Sequence, residues 1–298
     1  MTTATLWPRA LDALRALGAH YRPMMEKAAQ EEHLDRRDWG LLLTAMGFAP
    51  EAVSNELLQV RVPYQNYTQR LGQGVEKGIL ELAGEGQFRL TDKGREIAQR
   101  VILAAYARMG TLNPLPDGDL LYLVTLLQRL VNASLEAPQP PGKWSINHSR
   151  RFDPGEKAPL MIKVDQYLSD LAAYRDDAHL AAWGSLDFGG PAWEALTYIW
   201  RGEADTLETL TRKLARRGNP PEVYQSAIDL LKTRQLVREQ EGNLQLTAEG
   251  REIRQKAEQV TDRYFYAPWS CLVEGENQAL GDLLDKLAHN LRSTPVRK

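Results

Sequence analysis

A repeated stretch of sequence constrains the fold of this chain more than any other feature. Residues 77–97 read KGILELAGEGQFRLTDKGREI, and residues 233–253 read TRQLVREQEGNLQLTAEGREI; the two align without a gap. The residues that coincide are, in the first copy, Leu80, Gly86, Leu90, Thr91, Gly94, Arg95, Glu96 and Ile97. Two copies within 298 residues indicate two units built on the same small framework.

Each copy predicts a β-hairpin between two helices. A helix ends near Lys77 or Thr233, and two short strands follow, joined by a glycine-containing turn. Thr91 or Thr247 then caps a new helix. This order of elements is that of a winged helix.

The residues before each wing predict a helix-turn-helix. In the second copy, 206–217 has helical apolar spacing, and the proline pair at 220–221 opens the next helix. The predicted core face of that helix is Val223, Ala227, Leu230 and Leu231. In the first copy, the segments 51–58 and 64–77 have these roles.

The predicted fold class is therefore mainly α with small β-hairpin wings: two winged helix-turn-helix units joined by a helical connector. We place an N-terminal winged-helix domain at 1–110 and a connector at 111–185, with a Pro-rich linker at 137–159 and a long helix over 160–183. A C-terminal winged-helix domain with a helical tail follows at 186–298. By analogy with other winged-helix proteins, the long helix is expected to pair two subunits into a homodimer.

Two family resemblances follow from these motifs. The runs LTDKGREI and LTAEGREI, each after a hairpin, resemble the wing and following helix of MarR-type regulators. The stretch from Arg175 to His179 is similar to the Arg-x-Asp-x-His of the SalK-like winged-helix family, and the resemblance spans roughly 160–287. The other matching residues are Glu258, Thr261, Asp262, Pro268 and Trp269. This resemblance implies a fold rather than a biochemical role.

The Arg-x-Asp-x-His stretch also has a reading from its residues. Arg175 and His179 are four apart and share one helix face, whereas Asp177 points to nearly the opposite side. They could form an anion site, and the aromatic residues crowded around the second winged helix could line a small-molecule pocket. The alternative, which we favour from the sequence, is a buried polar network. The ligand-binding candidates are Arg175, Asp177, His179 and Trp269.

The second helix of the first copy has the side chains that read DNA. It is rich in amides and tyrosines, and it has no acidic residue until Glu76. The DNA-binding candidates are Tyr64, Gln65, Asn66, Gln69, Arg70, Gln73 and Arg89. The second copy is less suited, because its helix carries Glu222 and Asp229; both wing tips are also acidic, at Glu85 and Glu241.

Composition excludes several function classes. The formal net charge of −2 does not favour a protein whose whole surface attracts nucleic acid, and the lone cysteine, Cys271, excludes an internal disulfide. The histidines have no metal-ligand spacing, and no phosphate loop or nucleophile elbow is present. We therefore expect no metal, no cofactor and no catalytic residues. The absence of a secretion signal and of a membrane-length apolar run predicts a cytoplasmic protein without membrane contact.

The sequence thus favours a dimeric transcriptional regulator that binds double-stranded DNA and responds to a small-molecule effector. The alternative is a winged-helix scaffold that binds a protein or small molecule without DNA, as the acidic wings suggest. A third hypothesis, an enzyme that uses Arg175 and His179, has the least support.

Overall fold

The computed structural model describes residues 5–296, and this part of the chain is mainly helical with two small β-hairpins, as predicted. The elements are α1 Leu6–Gln30, α2 Arg36–Met46, α3 Asn55–Gln59, α4 Thr68–Glu76, β1 Leu80–Gly84, β2 Gln87–Leu90, α5 Asp92–Met109, α6 Asp117–Glu136, α7 Trp144–Ser149, α8 Leu160–Trp183, α9 Gly190–Trp200, α10 Leu207–Leu214, α11 Pro221–Thr233, β3 Val237–Gln240, β4 Asn243–Leu246, α12 Ala248–Tyr266 and α13 Glu274–Ser293. No helix among the described residues is long and apolar enough to cross a membrane.

Both hairpins lie between two helices, as the repeated sequence predicts. The strands are antiparallel, with Leu80 opposite Leu90 in the first hairpin and Val237 opposite Leu246 in the second. The turn of each contains a repeated glycine at positive φ, +65° at Gly86 and +79° at Gly242. Most residues disfavour this left-handed conformation, which explains why glycine stands at both turns.

The helix after each hairpin begins in the same way in the two copies. The Thr91 hydroxyl accepts the Gly94 N–H at 2.9 Å, and the Thr247 hydroxyl accepts the Gly250 N–H at 3.0 Å. A Cβ atom at either glycine would overlap the carbonyl oxygen of the residue that precedes the first strand of its hairpin. The shared Leu-Thr-x-x-Gly therefore encodes a helix cap and a close backbone contact.

The buried apolar side chains form two clusters, and the tail belongs to the first. One cluster joins residues from Leu6 to Ala178 with Phe265 to Leu291; the other lies within 183–257. Helix α13 packs along α1, where the Leu291 carbonyl is 2.8 Å from Nε2 of His20. The tail that we assigned with the C-terminal unit thus completes the core of the N-terminal one.

The long helix α8 spans the predicted residues but does not have the predicted role. Pro159 precedes it and Gly184 follows it, as their helix-breaking character predicts. It contacts α1, α6, α7 and α12 and buries residues around its whole circumference. This burial leaves α8 no free face along which it could pair two subunits. The Pro-rich segment at 137–159 is also not a plain linker, because it contains α7 packed against α8.

The helix-turn-helix segments differ from the prediction in register and length. Helix α11 begins at Pro221, and Ala227 and Leu231 are buried, as predicted. Tyr224 and Ile228 are buried as well, whereas the predicted Val223 and Leu230 are only half-buried. The buried face therefore keeps Ala227 and Leu231 at its centre and extends toward Tyr224 and Ile228 rather than toward Val223 and Leu230. In the first copy, α3 and α4 occupy only 55–59 and 68–76.

Candidate ligand cavity and nucleic-acid interface

A cavity of about 450 Å³ lies where the two winged-helix units meet. Helices α1, α8, α9 and α12 form its wall, together with the segments that precede α4 and α11. Its charged lining side chains and histidine are Arg175, Asp176, His179, Glu194, Arg201, Arg217, Arg254 and Glu258. The cavity thus draws on both units and on the connector.

Arg254 of α12 is the most deeply buried cation of this cavity, at 1% relative exposure. Its guanidinium lies 4.7 Å from the ring centroids of both Trp193 and Trp200, which fixes its plane by cation–π contact. Nη2 donates to Glu258 at 2.8 Å, whereas Nε and Nη1 have no hydrogen-bond partner among the described residues. Burial lowers the pKa of Arg254, and Glu258 opposes that effect. A buried guanidinium is therefore held with part of its bonding capacity unused.

His179 of α8 connects this region through hydrogen bonds. Its Nε2 lies 3.2 Å from Nε1 of Trp193, which can only donate, so Nε2 must accept. Nδ1 then carries the proton and donates to the Thr261 hydroxyl at 3.3 Å. Burial lowers the pKa of His179 to about 4, with Glu258 opposing and Arg254 reinforcing the shift. The ring is neutral at neutral pH and holds Trp193 against the cavity.

Two ion pairs frame the opening. Arg175 pairs with Asp262 at 2.9 Å, and Arg217 pairs with Glu194 at 2.5 Å. The Arg217 guanidinium also lies over the ring of Tyr64, 4.3 Å from its centroid. Arg217 therefore joins the segment before α11 to the segment before α4.

The predicted ligand-binding residues separate into two groups. Arg175 and His179 line the cavity, as their shared helix face suggested. Asp177 points away: it is 3% exposed, and its carboxylate accepts the N–H groups of Ser145 and Ile146 at the start of α7. Trp269 is 1% exposed and packs on Phe265 within the first core, so Asp177 and Trp269 leave the candidate set.

Arg254, Arg201, Arg217 and Glu194 are not among the site residues that the sequence predicts. A signal for Arg254 exists in the repeat itself. If the alignment is continued past its last shared isoleucine, Arg254 falls opposite Ala98, and Glu258 falls opposite Ile102. A charged pair where the other copy is apolar marks a place at which the two copies do different work.

The predicted DNA-reading helix is partly covered by the second unit. The Arg217 carbonyl accepts the Asn66 N–H at 2.8 Å, and the Asn219 amide donates to the Tyr64 carbonyl at the same distance. Gln65 is 7% exposed. The segment 64–66 is therefore part of the junction and precedes α4, which removes Tyr64, Gln65 and Asn66 from a base-reading surface. Gln69 and Gln73 on α4, and Arg89 on β2, are exposed.

A basic surface adjoins the exposed part of α4. We define it by Arg36 and Arg37 at the start of α2, Arg70 on α4 and Arg216 before α11, which line one shallow depression of about 700 Å³. Arg70 donates to the Arg216 carbonyl at 2.7 Å, so this surface also spans both units. None of the four forms an ion pair with any other residue in 5–296. Asp35 is the acidic side chain that shares the depression.

The recognition helix of the second copy has a different surface. Glu222, Gln225 and Asp229 of α11 are exposed, and Gln225 donates to Asp229 at 2.9 Å. Glu85 and Glu241 are exposed at the wing tips, as predicted. These carboxylates would lie unfavourably against phosphate.

Comparison with known proteins supports a helix-turn-helix fold for the second unit. Residues 171–296, from the middle of α8 to the end of the described chain, match the sequence model of a helix-turn-helix family. Residues 171–296 therefore carry a helix-turn-helix fold. The match concerns this class as a whole and does not distinguish MarR-type or SalK-like membership. No curated protein and no solved structure matches the chain.

Proposed function

We propose that this protein is a DNA-binding transcriptional regulator of winged-helix type whose basic surface contacts the phosphate backbone. The observation that carries the proposal is the set of four arginines at the junction of the two units, none of which forms an ion pair within residues 5–296. Each such cation can neutralise a phosphate and release a counterion, whereas a paired cation must first give up its carboxylate. The helix-turn-helix match of residues 171–296 supports the same general role.

Base reading falls to the exposed amides beside this surface. Gln69 and Gln73 lie on α4 next to Arg70, and amides of this kind bond bidentately to adenine in the major groove. Arg89 on the wing is exposed and can approach the backbone. Because the net charge is −2, non-specific affinity should be weak, and specific contacts must supply most of the affinity.

Response to an effector is the second part of the proposal. The cavity contains Arg217, and the adjacent Arg216 belongs to the basic surface. A ligand that moved Arg217 would also move the Asn66 backbone that bonds to its carbonyl. We propose a binding role for the cavity and not catalysis, because both ring nitrogens of His179 are engaged by Thr261 and Trp193.

The test is selection of genomic fragments by purified protein at physiological salt, followed by fluorescence anisotropy on an enriched site. Affinity falls as salt rises, so the slope of log affinity against log salt concentration is negative. The double variant R37Q/R216Q should make this slope shallower by about 2, because two phosphate contacts are lost. The matched control is K157Q/K286Q, which removes two exposed lysines outside this surface and should leave the slope unchanged. If no fragment is enriched, or if the control has the same effect, the regulator proposal fails.

A scaffold that binds a protein or small molecule without DNA is the second candidate. Specific observations favour it: exposed Glu222 and Asp229 on α11, acidic wing tips, and the junction that covers 64–66. Failure of the selection together with a measurable ligand for the cavity would support this alternative.

A further inference from the structure

We propose that the cavity at the junction binds a small organic anion, with a carboxylate or phosphate head directed at Arg254 and Arg201 and an aromatic body. The inference rests on the proposed function only in assigning the effector to this cavity. It concerns the free protein, so it can be tested without DNA.

The charge of Arg254 is incompletely balanced. Its single carboxylate partner, Glu258, has a side chain that is 35% exposed, whereas the side chain of Arg254 is 1% exposed. Two of its nitrogens have no hydrogen-bond partner within the part of the chain that the structure describes. Buried charges are costly unless they are paired and fully hydrogen-bonded, so a second anion at this wall would relieve an existing deficit.

A second arginine is available to the same anion. Arg201, at the end of α9, lines the cavity and is half exposed, and its carboxylate contact is Glu203 at 3.9 Å. At that separation the pair is loose and exchanges easily with a better partner. A carboxylate or phosphate head can then accept from more than one guanidinium, the geometry in which arginine binds such groups best.

The first copy of the repeat shows that these polar residues are not required by the framework. Where α12 has Arg254, Glu258 and Thr261, the equivalent helix α5 has Ala98, Ile102 and Ala105. Ala98 and Ala105 are buried in the first core. Because apolar side chains satisfy this position in one copy, the charged set in the other is explained by a ligand better than by folding.

The other side chains that line the cavity indicate what the body of the ligand should be. Trp7, Leu11, Trp193 and Tyr198 present apolar and aromatic surface, and about 450 Å³ suits a molecule with one or two rings. The buried Oε2 of Glu194 also has no hydrogen-bond partner in residues 5–296. A ligand that carries a hydroxyl or amino donor as well as the anionic head would satisfy both unused groups.

The experiment is isothermal titration of the full chain, in parallel with tryptophan fluorescence, since Trp7 and Trp193 line the cavity. The probes are 4-hydroxyphenylacetate, 4-hydroxyphenyl phosphate and the neutral 4-hydroxyphenylacetamide. Either anion should bind with a dissociation constant below about 1 mM and at least about tenfold more tightly than the amide, because the amide lacks the charge. The two anions distinguish a carboxylate from a phosphate head. Inorganic phosphate alone should bind more weakly, since it has no aromatic body.

Variants locate the binding. R201Q changes a half-exposed side chain and should weaken anion binding about tenfold without affecting the fold, and R254M should weaken it further. The control is R251Q, an exposed arginine one turn before Arg254 on α12, which should bind like the unmodified protein. Circular dichroism checks that each variant is folded.

Three results would overturn the inference. They are equal binding of anions and amide, equal weakening by R201Q and R251Q, and no binding of any probe up to about 10 mM. Because no DNA is present, a negative result here leaves the fragment selection unaffected, and the two proposals can fail separately.

Discussion

The two winged-helix copies are alike in the wing and different in the helix that follows it. Both wings use a threonine cap and a glycine pressed against a carbonyl. After the shared isoleucine, α5 continues with apolar residues into the large first core. Helix α12 instead buries Arg254 against two tryptophans. The residues that the two copies share therefore determine how each helix begins, whereas its later turns differ, with packing residues in α5 and a buried arginine in α12.

The recognition helices differ in the same sense. Helix α11 has 13 residues and its polar face is open, whereas α4 has nine and its entrance is closed by the second unit. The basic surface exists only because the first unit is docked in this way, since Arg70 and Arg216 come from different copies. The asymmetry shows how a repeated fold can produce one combined surface rather than two equal ones.

The largest expected effect comes from replacing the glycine that both copies have in the first turn of the helix after the hairpin, Gly94 and Gly250. G94A and G250A should each lower the free energy of unfolding by about 3 kcal/mol or more, because the added methyl group overlaps a backbone carbonyl that cannot move without displacing the hairpin. Urea denaturation followed by circular dichroism measures the loss.

The control for the glycine variants is G72A on α4, where a methyl group would meet nothing within 4 Å. It should raise stability by up to about 1 kcal/mol through helix propensity. If G94A and G72A behaved alike, the close contact would not explain the shared glycine.

The next effect concerns the hydrogen-bonded histidine of α8. H179A removes the bonds to Thr261 and Trp193 and should cost about 1–3 kcal/mol of unfolding free energy. Thermal and urea denaturation give the value. The matched change H289A removes an exposed histidine on α13 and should be nearly neutral. A neutral H179A would show that these bonds contribute nothing to stability.

Acid should destabilise both parts of the molecule through one histidine each. Burial lowers the pKa of two histidines to about 4 each: His148, which lies beside the first core, and His179, which lies on α8. Between pH 6.5 and 4 the unfolded chain binds protons that the folded chain does not, so stability falls as the pH falls through this window. The loss at pH 5 should be about 2 kcal/mol for each histidine.

Asp165 opposes this trend, because burial raises its pKa to about 6 and the folded state holds its proton between pH 4 and 6. Unfolding free energies at pH 7 and pH 5 measure the balance. H148Q and H179Q should each reduce the difference between the two pH values, and D165N should enlarge it. A difference that H148Q and H179Q leave unchanged would contradict these assignments.

The smallest expected effect is a change in the salt dependence of DNA affinity, and it shows which of the two wings lies nearer to the DNA. E85K and E241K each replace an exposed acidic residue at a wing tip with a lysine. In the wing that lies nearer to the DNA backbone, the lysine should add up to about one phosphate contact and steepen the dependence of affinity on salt accordingly. Anisotropy titrations on an enriched fragment give the slopes. We expect the larger gain from E85K, because its wing belongs to the copy that contributes Arg36, Arg37 and Arg70 to the basic surface. A larger gain from E241K would transfer DNA contact to the second copy.

The parts of the fold that sequence predicted well are those set by local chemistry. The hairpins follow from glycine at the turns and threonine at the caps, and α8 is bounded by Pro159 and Gly184. Such signals act over a few residues and need no knowledge of the rest of the chain. The shared face of Arg175 and His179 was predictable for the same reason.

The parts that sequence missed depend on distant segments. Nothing near Asn66 indicates that its N–H bonds to Arg217, and nothing near Asp177 indicates that it caps α7. The buried Arg254 lies among charged residues that look like a solvated face, until the repeat is used to compare it with Ala98. Long-range packing decides these positions, and local patterns cannot supply it.

The docking of α13 on α1 has a consequence for the order in which the chain can fold as it is synthesised. The first core needs Leu6 from one end of the chain and Leu291 from the other, whereas the second core is complete once residue 257 has been made. On the ribosome, the unit encoded second therefore has all of its parts before the unit encoded first. The N-terminal half must wait, partly assembled, until α13 has emerged, and a truncation before α13 would leave the first core rather than the second unfinished.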